Sequence, residues 1–587
     1  MKIDSLKSLR DETNNLIDSN NKSLNLYTNI RLVVIICLIV TLISAISNSN
    51  TRLIFLILSL ILFIVSIILT CIMSHYKKID NHYNYKNLVI KDYLSRFDNS
   101  YKSSDTGLEY SHGEYFEQDL DILGKNSIYS YINFSKTAYG KEETAYLLST
   151  DLSLSTDLEK RQEASKELAE NLSDTLDILS SSYEYENINS NIKVKDIDGA
   201  LQLLDNKVEI SKSKLILAPI YFILFCVVIV LSILKIIPIF SPIIMMFVGF
   251  ILSNFIYPNA KALASDLGSA RLKISGYKDL IDVISSKNFK SSYLNELQAP
   301  IELLNAKALK QFNLISGLAE SRNNVLFQFL FDGALLIDAY VMYAYSKWQK
   351  KYASYLKDSF KAIGKIEGLI SISTIKIVKE DSCTPQISET FEFSEIKHPL
   401  IKEDVCIPND FKFIKRNIIT GSNMSGKTTF MRSIGTNYTL FLAGADVCAR
   451  NFKAPILKLF TSMKVVDDVN NNISTFYGEI LRIKKIIEYI KEGTGMLVLV
   501  DEIFKGTNTQ DRIVGAKSFI EKLDKEHIYS IVTTHDPELC QIDNVSNYHF
   551  CEHYEGDKIL FDYKIHDGIS NTRNAIYLLK LAGIVEK

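Results

Sequence analysis

A loop suited to holding a chain of phosphates lies at residues 421–429. A short apolar strand, Asn417–Thr420, runs into it, and a helical pattern follows. The letters have the spacing G-x-x-x-x-G-K-[ST] and comprise Gly421, Ser422, Asn423, Met424, Ser425, Gly426, Lys427 and Thr428, with Thr429 next. The glycines let backbone N–H groups wrap around phosphates, Lys427 can reach the β- and γ-phosphates, and the Thr428 hydroxyl can ligate Mg²⁺. The motif therefore predicts ATP and Mg²⁺ as ligands; a simple glycine turn before a helix is the alternative.

Acidic side chains follow a second apolar strand, Met496–Val500, at Asp501 and Glu502. Carboxylates at the carboxyl end of a buried parallel strand face the ligand crevice. Asp501 suits a Mg²⁺ role, usually through water, and Glu502 suits the general base that orients or deprotonates the attacking water. A third strand, His527–Thr533, ends next to His535, which could sense the γ-phosphate; a histidine that only caps a turn is the alternative.

These elements must be positioned by a sheet with helices between its strands. Three apolar strands separated by helical stretches predict an α/β nucleotide domain over 386–587. Upstream, residues 74–214 and 258–385 carry apolar residues at three and four spacing, which predicts a helical scaffold. The predicted fold class is therefore α plus α/β, in several domains.

Two hydrophobic hairpins interrupt the helical scaffold, over residues 32–73 and 215–257. The first pairs Leu32–Ile46 with Leu53–Met73, and the second pairs Leu215–Leu234 with Ile236–Tyr257. A helix rises about 1.5 Å per residue and the hydrocarbon core is about 30 Å thick, so runs of this length predict four membrane spans. Buried helices of a soluble core are the alternative. The run Val325–Trp348 is interrupted by two aspartates and is predicted to be one core helix outside the membrane.

Charge near the hairpins predicts their orientation. Lysine and arginine flank both hairpins on the polar sides, including residues 1–31, whereas the two turns hold only Arg52 and Lys235. Positive flanks stay cytoplasmic, so both termini and the α/β domain are expected in the cytoplasm, in contact with membrane lipid.

Overall composition limits the choice of function. The 587 residues carry a formal net charge of −2, without the basic footprint usual for nucleic-acid binding. The 8 cysteines are scattered without a C-x-x-C pair, which indicates neither zinc nor a disulfide framework.

The C-terminal third resembles the ATPase domain of MutS mismatch-recognition proteins. The resemblance is carried by IPND at 407–410, TGSNMSGKTTFMR at 420–432, STFYGEI at 474–480, DEIFKGTNTQD at 501–511, TTHDPEL at 533–539 and YKIHDGISNTRNAIYLLKLAGI at 563–584. A weaker resemblance to the start of the MutS core and lever helices covers 119–151 and 157–164.

The resemblance implies an ABC-type ATPase that works as a homodimer. It implies that Ser474 and Thr475 contact the γ-phosphate bound by the opposite subunit, and that Asn423 helps to hold the phosphate. The chain departs from the family at its N-terminus, where a membrane hairpin stands and no Phe-x-Glu wedge for reading mismatches is found. It also has Arg512 where the family has glycine.

These observations support three hypotheses about function. The first is a membrane-anchored, dimeric switch driven by ATP hydrolysis. The second keeps the family role, in which the chain binds mismatched DNA, although neither a basic patch nor a wedge supports it. The third is an ATP-driven membrane or transport-coupled protein without DNA binding; the predicted spans carry no charged or broken intramembrane site apart from prolines, which weakens it.

Overall fold

The computed structural model describes residues 2–47, 51–189, 191–422, 424–464, 475–504, 508–555 and 558–569. For residues 2, 475, 553–555, 558 and 559 it describes the backbone alone. The described chain is mostly helical up to residue 378 and continues into an α/β region with two sheets. The predicted order, a helical part followed by an α/β part, is confirmed.

Two helices of 46 residues each form the first hairpin: α1 (Lys2–Ser47) and α2 (Arg52–Phe97). The predicted apolar runs are only segments of these helices, which continue past them into polar sequence. The predicted turn includes residues 48–50, which lie outside the described residues. Beyond the apolar runs the two helices are joined by hydrogen bonds: the Asn20 side chain donates to the Tyr76 carbonyl at 3.0 Å, and the Asn87 side chain donates to the Asn14 side chain at 2.6 Å.

Short helices then build a compact scaffold up to the second hairpin: α3 (Tyr115–Asp119), α4 (Ile128–Ile132), α5 (Ala138–Leu147), α6 (Leu158–Glu170), α7 (Leu172–Ile188) and α8 (Val194–Asp205). Single turns of 3-10 helix lie at Leu108–Tyr110 and Leu152–Asp157. The first hairpin is docked on this scaffold by an ion pair, in which Lys86 of α2 donates to the Asp177 carboxylate of α7 at 2.7 Å. The same carboxylate also accepts from Lys287 of the later helical part at 2.8 Å.

The second hairpin consists of α9 (Lys212–Ile233) and α10 (Ser241–Ile256). Three more helices follow: α11 (Ala260–Ile274), α12 (Tyr277–Ser285) and α13 (Ser292–Ser321), the last interrupted at Asn305, where φ is +46°. In the part of the chain that the structure describes, three helices are long and apolar enough to cross a membrane: α1, α2 and α9. The predicted fourth span, α10, has 16 residues and meets this test only together with α11, to which it is bent by 78°.

The prediction of one helix over 325–348 was wrong. The chain forms α14 (Val325–Leu335) and α15 (Ile337–Val378), bent by 89° at Leu336, whose φ of +51° is left-handed. The bend is fixed by Asp332, whose carboxylate accepts the Asp338 backbone N–H at 3.0 Å and so caps the second helix. The helix α14 packs on α9 and α10 of the second hairpin, whereas α15 alone enters the scaffold.

The long helix α15 forms the centre of the helical core. From Phe360 to Val378 most of its side chains are buried, against α5, α6 and α13. Close approach to α5 requires glycine, because a Cβ on Gly364 would lie 2.6 Å from the Tyr139 Cβ. The core therefore extends from the bend beside the second hairpin to the start of the α/β region.

The α/β region contains two sheets. Its strands are β1 (Gln386–Ile387), β2 (Glu392–Ile396), β3 (Asn409–Phe411), β4 (Arg416–Thr420), β5 (Asn451–Ala454), β6 (Lys458–Ser462), β7 (Met496–Asp501), β8 (Ile528–Thr533), β9 (Ser546–Glu555) and β10 (Lys558–Asp567). The larger sheet has the order β10-β9-β4-β8-β7-β6 and is parallel except for β10; the smaller has the order β1-β5-β2-β3.

Helices cover both faces of the larger sheet: α16 (Lys427–Ala443), α17 (Thr475–Glu492) and α18 (Thr509–Lys522). Alternate residues of β7 point to opposite faces, as the period of two requires. Leu497 and Leu499 join the cluster that contains α16, whereas Val498 and Val500 join the cluster that contains α17 and α18. The three predicted strands are thus buried on both sides, and their carboxyl ends lie at one edge.

Candidate nucleotide-binding site

The loop 421–426 connects β4 to α16 through two glycines in left-handed backbone. Gly421 has φ +144° and Gly426 has φ +111°. A Cβ on Gly421 would lie 2.8 Å from the Phe550 carbonyl oxygen, which belongs to the neighbouring strand and cannot easily move. Only glycine fits both the angle and the space, so this part of the predicted motif serves the path of the backbone.

Lys427 opens α16 and turns its side chain back into the loop. Its ammonium donates to the Gly421 carbonyl at 2.8 Å and to the Ser422 carbonyl at 2.7 Å, and the residue is only 4% exposed. The Ser425 hydroxyl also donates to the Ser422 carbonyl at 2.8 Å. A buried positive charge thus lies at the N-terminus of a helix of 17 residues, where anions are favoured.

A hydroxyl and a carboxylate, both suited to binding a hard cation, meet where the start of α16 approaches the end of β7. The Thr428 hydroxyl donates to the Asp501 carboxylate at 2.7 Å, and the Thr533 hydroxyl of β8 donates to the other Asp501 oxygen. Hydroxyl and carboxylate oxygens are the ligands that Mg²⁺ prefers. The two residues predicted for the metal therefore meet, and their chemistry fits that ion.

Glu502 and His535, the two predicted catalytic residues, are in contact. Their side chains approach to 3.0 Å between His535 Nε2 and Glu502 Oε1. Glu502 has φ +53°, an uncommon value for a residue with a side chain, and its backbone N–H donates to the Thr533 hydroxyl at 3.0 Å. Strained backbone held by its surroundings is common at functional sites.

Arg512, the residue that departs from the family pattern, forms a two-point ion pair beside His535. Its Nε and Nη2 donate to the two carboxylate oxygens of Asp536 at 2.9 and 2.7 Å. These hydrogen bonds hold the pKa of the arginine above its ordinary value. The pair fixes α18 to the turn that carries His535.

The remaining predicted residues are less enclosed. Ser422 donates to Glu552 at 2.8 Å, whereas Met424 and Thr429 are exposed. Asn423 and Ser474 lie outside the described residues, and only the backbone of Thr475, the first residue of α17, is described. The structure thus brings together Lys427, Thr428, Asp501, Glu502 and His535 within one edge of the sheet.

A cavity of about 220 Å³ lies next to the loop and was missed by the sequence analysis. Its wall includes Gly426 and Thr429 together with apolar and aromatic side chains and one amide: Ile396, Ile401, Val405, Ile407, Asn409, Phe430, Phe550 and Tyr563. The Asn409 amide is held by β10, because it donates to the Tyr563 carbonyl at 3.0 Å and accepts the Ile565 N–H at 2.8 Å. The IPND sequence at 407–410 was a signal for this cavity.

A buried ion pair ties the helical scaffold to the candidate site, and it was also missed. Asp119, at the end of α3, is fully buried and accepts two bonds from Arg482 of α17 at 3.1 and 2.9 Å. It also accepts from the Thr461 hydroxyl at 2.7 Å and from the Met463 and Lys464 N–H groups at 3.1 and 2.9 Å. No spacing rule links residues more than 300 positions apart, so this contact could not be predicted from local sequence patterns.

The α/β region that contains this site is also the part of the chain that matches known proteins. Residues 417–587 match the family model for MutS domain V. The DNA mismatch repair proteins MutS of Staphylococcus aureus strain JH9 and strain Newman are each 30% identical to the chain over 253 residues. That match covers 40% of this chain and 29% of each relative, so the chain spans less than a third of the length of the relatives it matches. Residues 570–587 of the matched region lie outside the described residues.

Proposed function

The chain belongs to the MutS family through its C-terminal part, and from this premise we propose that it binds and hydrolyses ATP on a membrane. The observation that carries the proposal is the meeting of three strand ends. Lys427 and Thr428 follow β4, Asp501 ends β7, and His535 follows β8, with Thr428 and Asp501 in direct contact at 2.7 Å.

Binding of the triphosphate is assigned to the loop and the start of α16. The Lys427 ammonium, which now bonds to two loop carbonyls, can exchange these partners for phosphate oxygens. Such an exchange replaces neutral acceptors with anionic ones, which form stronger hydrogen bonds. The N-terminal N–H groups of the helix add further donors. Thr428 and Asp501 would hold Mg²⁺, which when bound neutralises charge on the phosphates.

Hydrolysis is assigned to Glu502 and His535. Glu502 can orient a water and accept its proton, and His535 holds the carboxylate in place through their contact of 3.0 Å. Arg512 and Asp536 in turn hold the turn that carries His535. The departure from the family glycine at Arg512 therefore adds a support to the site.

The base of the nucleotide is assigned to the cavity beside the loop. Its apolar and aromatic wall suits a flat ring, and the Asn409 amide lies in the wall. The cavity shares Gly426 and Thr429 with the phosphate loop, so one molecule could reach both.

Dimerisation is proposed through the segment before α17. Ser474 and Thr475 would contact the γ-phosphate held by a second copy, as the family resemblance implies. Because α17 is tied to α3 by Arg482 and Asp119, closure of the two copies would pull directly on the helical scaffold.

Membrane anchoring is proposed for the two hairpins. On α1, α2, α9 and α10 large apolar side chains are widely exposed, among them Ile46, Leu53, Ile223 and Phe255 at 82, 73, 62 and 82%. Such faces are unfavourable in water and favourable in lipid. Movement could reach the spans through α2, which runs from the first hairpin into the scaffold, and through α15, which contacts α9 of the second hairpin. Both termini and the α/β region would lie in the cytoplasm.

DNA binding is a second candidate, because the relatives carry the name of DNA mismatch repair proteins. The net charge of −2 does not favour it. Titration of the full chain with matched and mismatched duplexes, at two salt concentrations, decides between the candidates. Salt-sensitive binding with a preference for mismatches would support the family role, and no binding would favour the membrane switch.

The proposed activity is tested with the full chain reconstituted in lipid. Lys427→Ala is expected to lose both binding and hydrolysis of Mg·ATP. Glu502→Gln is expected to keep binding but to lose hydrolysis by a factor of about 10² to 10⁴, the range for a general base. The exposed Lys484→Ala and Glu538→Gln are the matched controls and should behave as wild type. Wild-type turnover in both site variants would contradict the proposal.

A further inference from the structure

A cluster of polar side chains lies where α10, α13, α14 and α15 meet. The Asp338 carboxylate accepts from Arg322 Nε at 2.8 Å and from the Ser253 hydroxyl at 3.0 Å. The same guanidinium donates through Nη2 to the Asn254 side chain at 2.9 Å. Asp332 joins the cluster because its Oδ1 accepts the Asp338 backbone N–H at 3.0 Å. Side chains from four helices thus converge on two carboxylates.

The helices around this cluster present apolar faces to the outside. Phe255 of α10 is 82% exposed, and Val325 and Leu326 of α14 are 70 and 66% exposed. The two helices pack tightly, since a Cβ on Gly333 would lie 2.7 Å from the Met246 carbonyl oxygen. The cluster is therefore enclosed by a bundle that has the exterior of a membrane-embedded element.

Asp332 is the unsatisfied member of the cluster. The residue is fully buried, and among the described residues its Oδ2 has no hydrogen-bond partner. The neighbouring Ser253 hydroxyl has one hydrogen, which it donates to Asp338. A buried carboxylate oxygen without a donor is unfavourable as an anion and becomes favourable once it carries a proton.

The charges of the cluster also point to Asp332 as the place where a proton would bind. Among the described residues, the charged side chains of the cluster are Asp332, Asp338 and Arg322, which carry a net charge of −1 when both carboxylates are ionised. The nearest titratable groups of the second hairpin bond elsewhere: Lys214 of α9 donates to the Ile256 carbonyl at 3.1 Å, and the hydroxyl of Tyr257, which follows α10, donates to the Lys214 carbonyl at 2.7 Å. Tyr221 lies within 2.9 Å of the Gly333 carbonyl and bonds to the backbone. One added positive charge would neutralise the cluster.

The geometry points to Asp332 Oδ2 as a proton-binding site, at which the carboxylate takes up one proton from the solvent to become a neutral carboxylic acid as the pH falls below neutrality. The step forms one O–H bond and breaks one in the donor, and needs no further reactant. Because Asp332 also caps α15 through its Oδ1, the proton binds directly at the bend between α14 and α15. The inference rests on the proposed function only for the placement of α9 and α10, on which α14 packs, in a membrane.

Infrared difference spectroscopy on the full chain in lipid nanodiscs tests this inference. The C=O stretch of a protonated carboxyl is expected to appear in the wild-type protein when the pH is lowered from 8 to 5, and this band should be missing in Asp332→Asn. It should also be lost in Asp338→Asn, because that change removes the like charge and leaves Arg322 available to Asp332. Asp358→Asn, an exposed position on the same α15, is the control and should keep the band.

Two results would overturn the inference: a wild-type protein without the band, or a band that survives in Asp332→Asn. If the wild-type band is missing and Na⁺ or K⁺ raises the thermal stability in a way that Asp332→Asn abolishes, the ligand at this site is a metal cation and not a proton. Should Asp332→Asn fail to fold, Asp338→Asn decides alone. ATP hydrolysis is measured on the same samples, so failure of the proposed activity is recognised separately from failure at Asp332.

Discussion

Replacing Asp119 by alanine tests whether the scaffold and the candidate site are held together by one buried charge. The carboxylate is fully buried and accepts five hydrogen bonds, from Arg482 twice, from Thr461 and from two backbone N–H groups. Alanine removes both acceptor oxygens, and with them all five hydrogen bonds, and leaves the Arg482 guanidinium, whose side chain is only 7% exposed, without its ion partner.

The expected loss of stability follows from the Arg482 charge that remains buried. Removal of one partner of a buried ion pair destabilises a protein by about 3–5 kcal/mol, because the other charge stays buried and unpaired. Asp121, two positions later, provides a matched control. It pairs with Arg432 at 2.9 Å and with Lys464 at 2.8 Å, but its side chain is 41% exposed. Replacing Asp121 by alanine should therefore lower the unfolding free energy by about 1 kcal/mol or less.

The assay is denaturant unfolding of the full chain in detergent, followed by tryptophan fluorescence and helical circular dichroism. Asp119→Ala should lower the unfolding free energy far more than Asp121→Ala does. Adding Arg482→Met to Asp119→Ala should recover part of the loss, because the orphaned charge is then removed. Equal losses for the two aspartates, or a double variant as unstable as the sum of its parts, would refute the reasoning.

Three further predictions concern the α/β region. Burial, and then the Arg432 charge, lower the pKa of His398 from 6.5 to about 4, so the folded state resists protonation while the unfolded state accepts a proton. The free energy of unfolding should therefore be highest above pH 6.5 and fall by about 3 kcal/mol as the pH drops towards 4. In unfolding measurements, His398→Asn should flatten that slope. Gly421→Ala should abolish ATP binding in a nucleotide titration, because its Cβ would lie 2.8 Å from the Phe550 carbonyl oxygen. Gly199→Ala is the control and should bind normally, because Gly199 is a half-buried helical glycine whose Cβ would have no neighbour within 4 Å. Arg512→Ala should slow hydrolysis more than it weakens binding of ATP, since it frees the turn that carries His535; an unchanged turnover number would show that the ion pair with Asp536 is only structural.

The candidate site is the part of the molecule that local sequence predicts best. Glycine spacing, a continuous apolar strand and an acidic residue at its end are local signals, and they predict β4, β7 and β8 to within a residue or two. Because carboxyl ends of parallel strands share one edge, the contact between Thr428 and Asp501 follows from the same pattern. The strand order, with β8 between β4 and β7, is set by packing and was not predictable.

Local sequence patterns predicted neither the contacts between distant segments nor the bend at Leu336. Hydrophobic spacing is the same on both sides of the bend, and the aspartates that break the helix act through a cap and a cluster formed only in the fold. Asp119 meets Arg482 for the same reason, since each lies in an ordinary amphipathic stretch and only the tertiary structure pairs them. Long-range pairing of buried charge has no local sequence period to reveal it.

The central claim is that the loop at 421–429 holds Mg·ATP, and calorimetric titration of the full chain measures this directly. Wild-type protein should bind Mg·ATP at one site per chain with micromolar to millimolar affinity, and Lys427→Ala, confirmed as folded by circular dichroism, should show no heat of binding. Absence of binding by the folded wild-type protein, or equal binding by Lys427→Ala, would contradict the account.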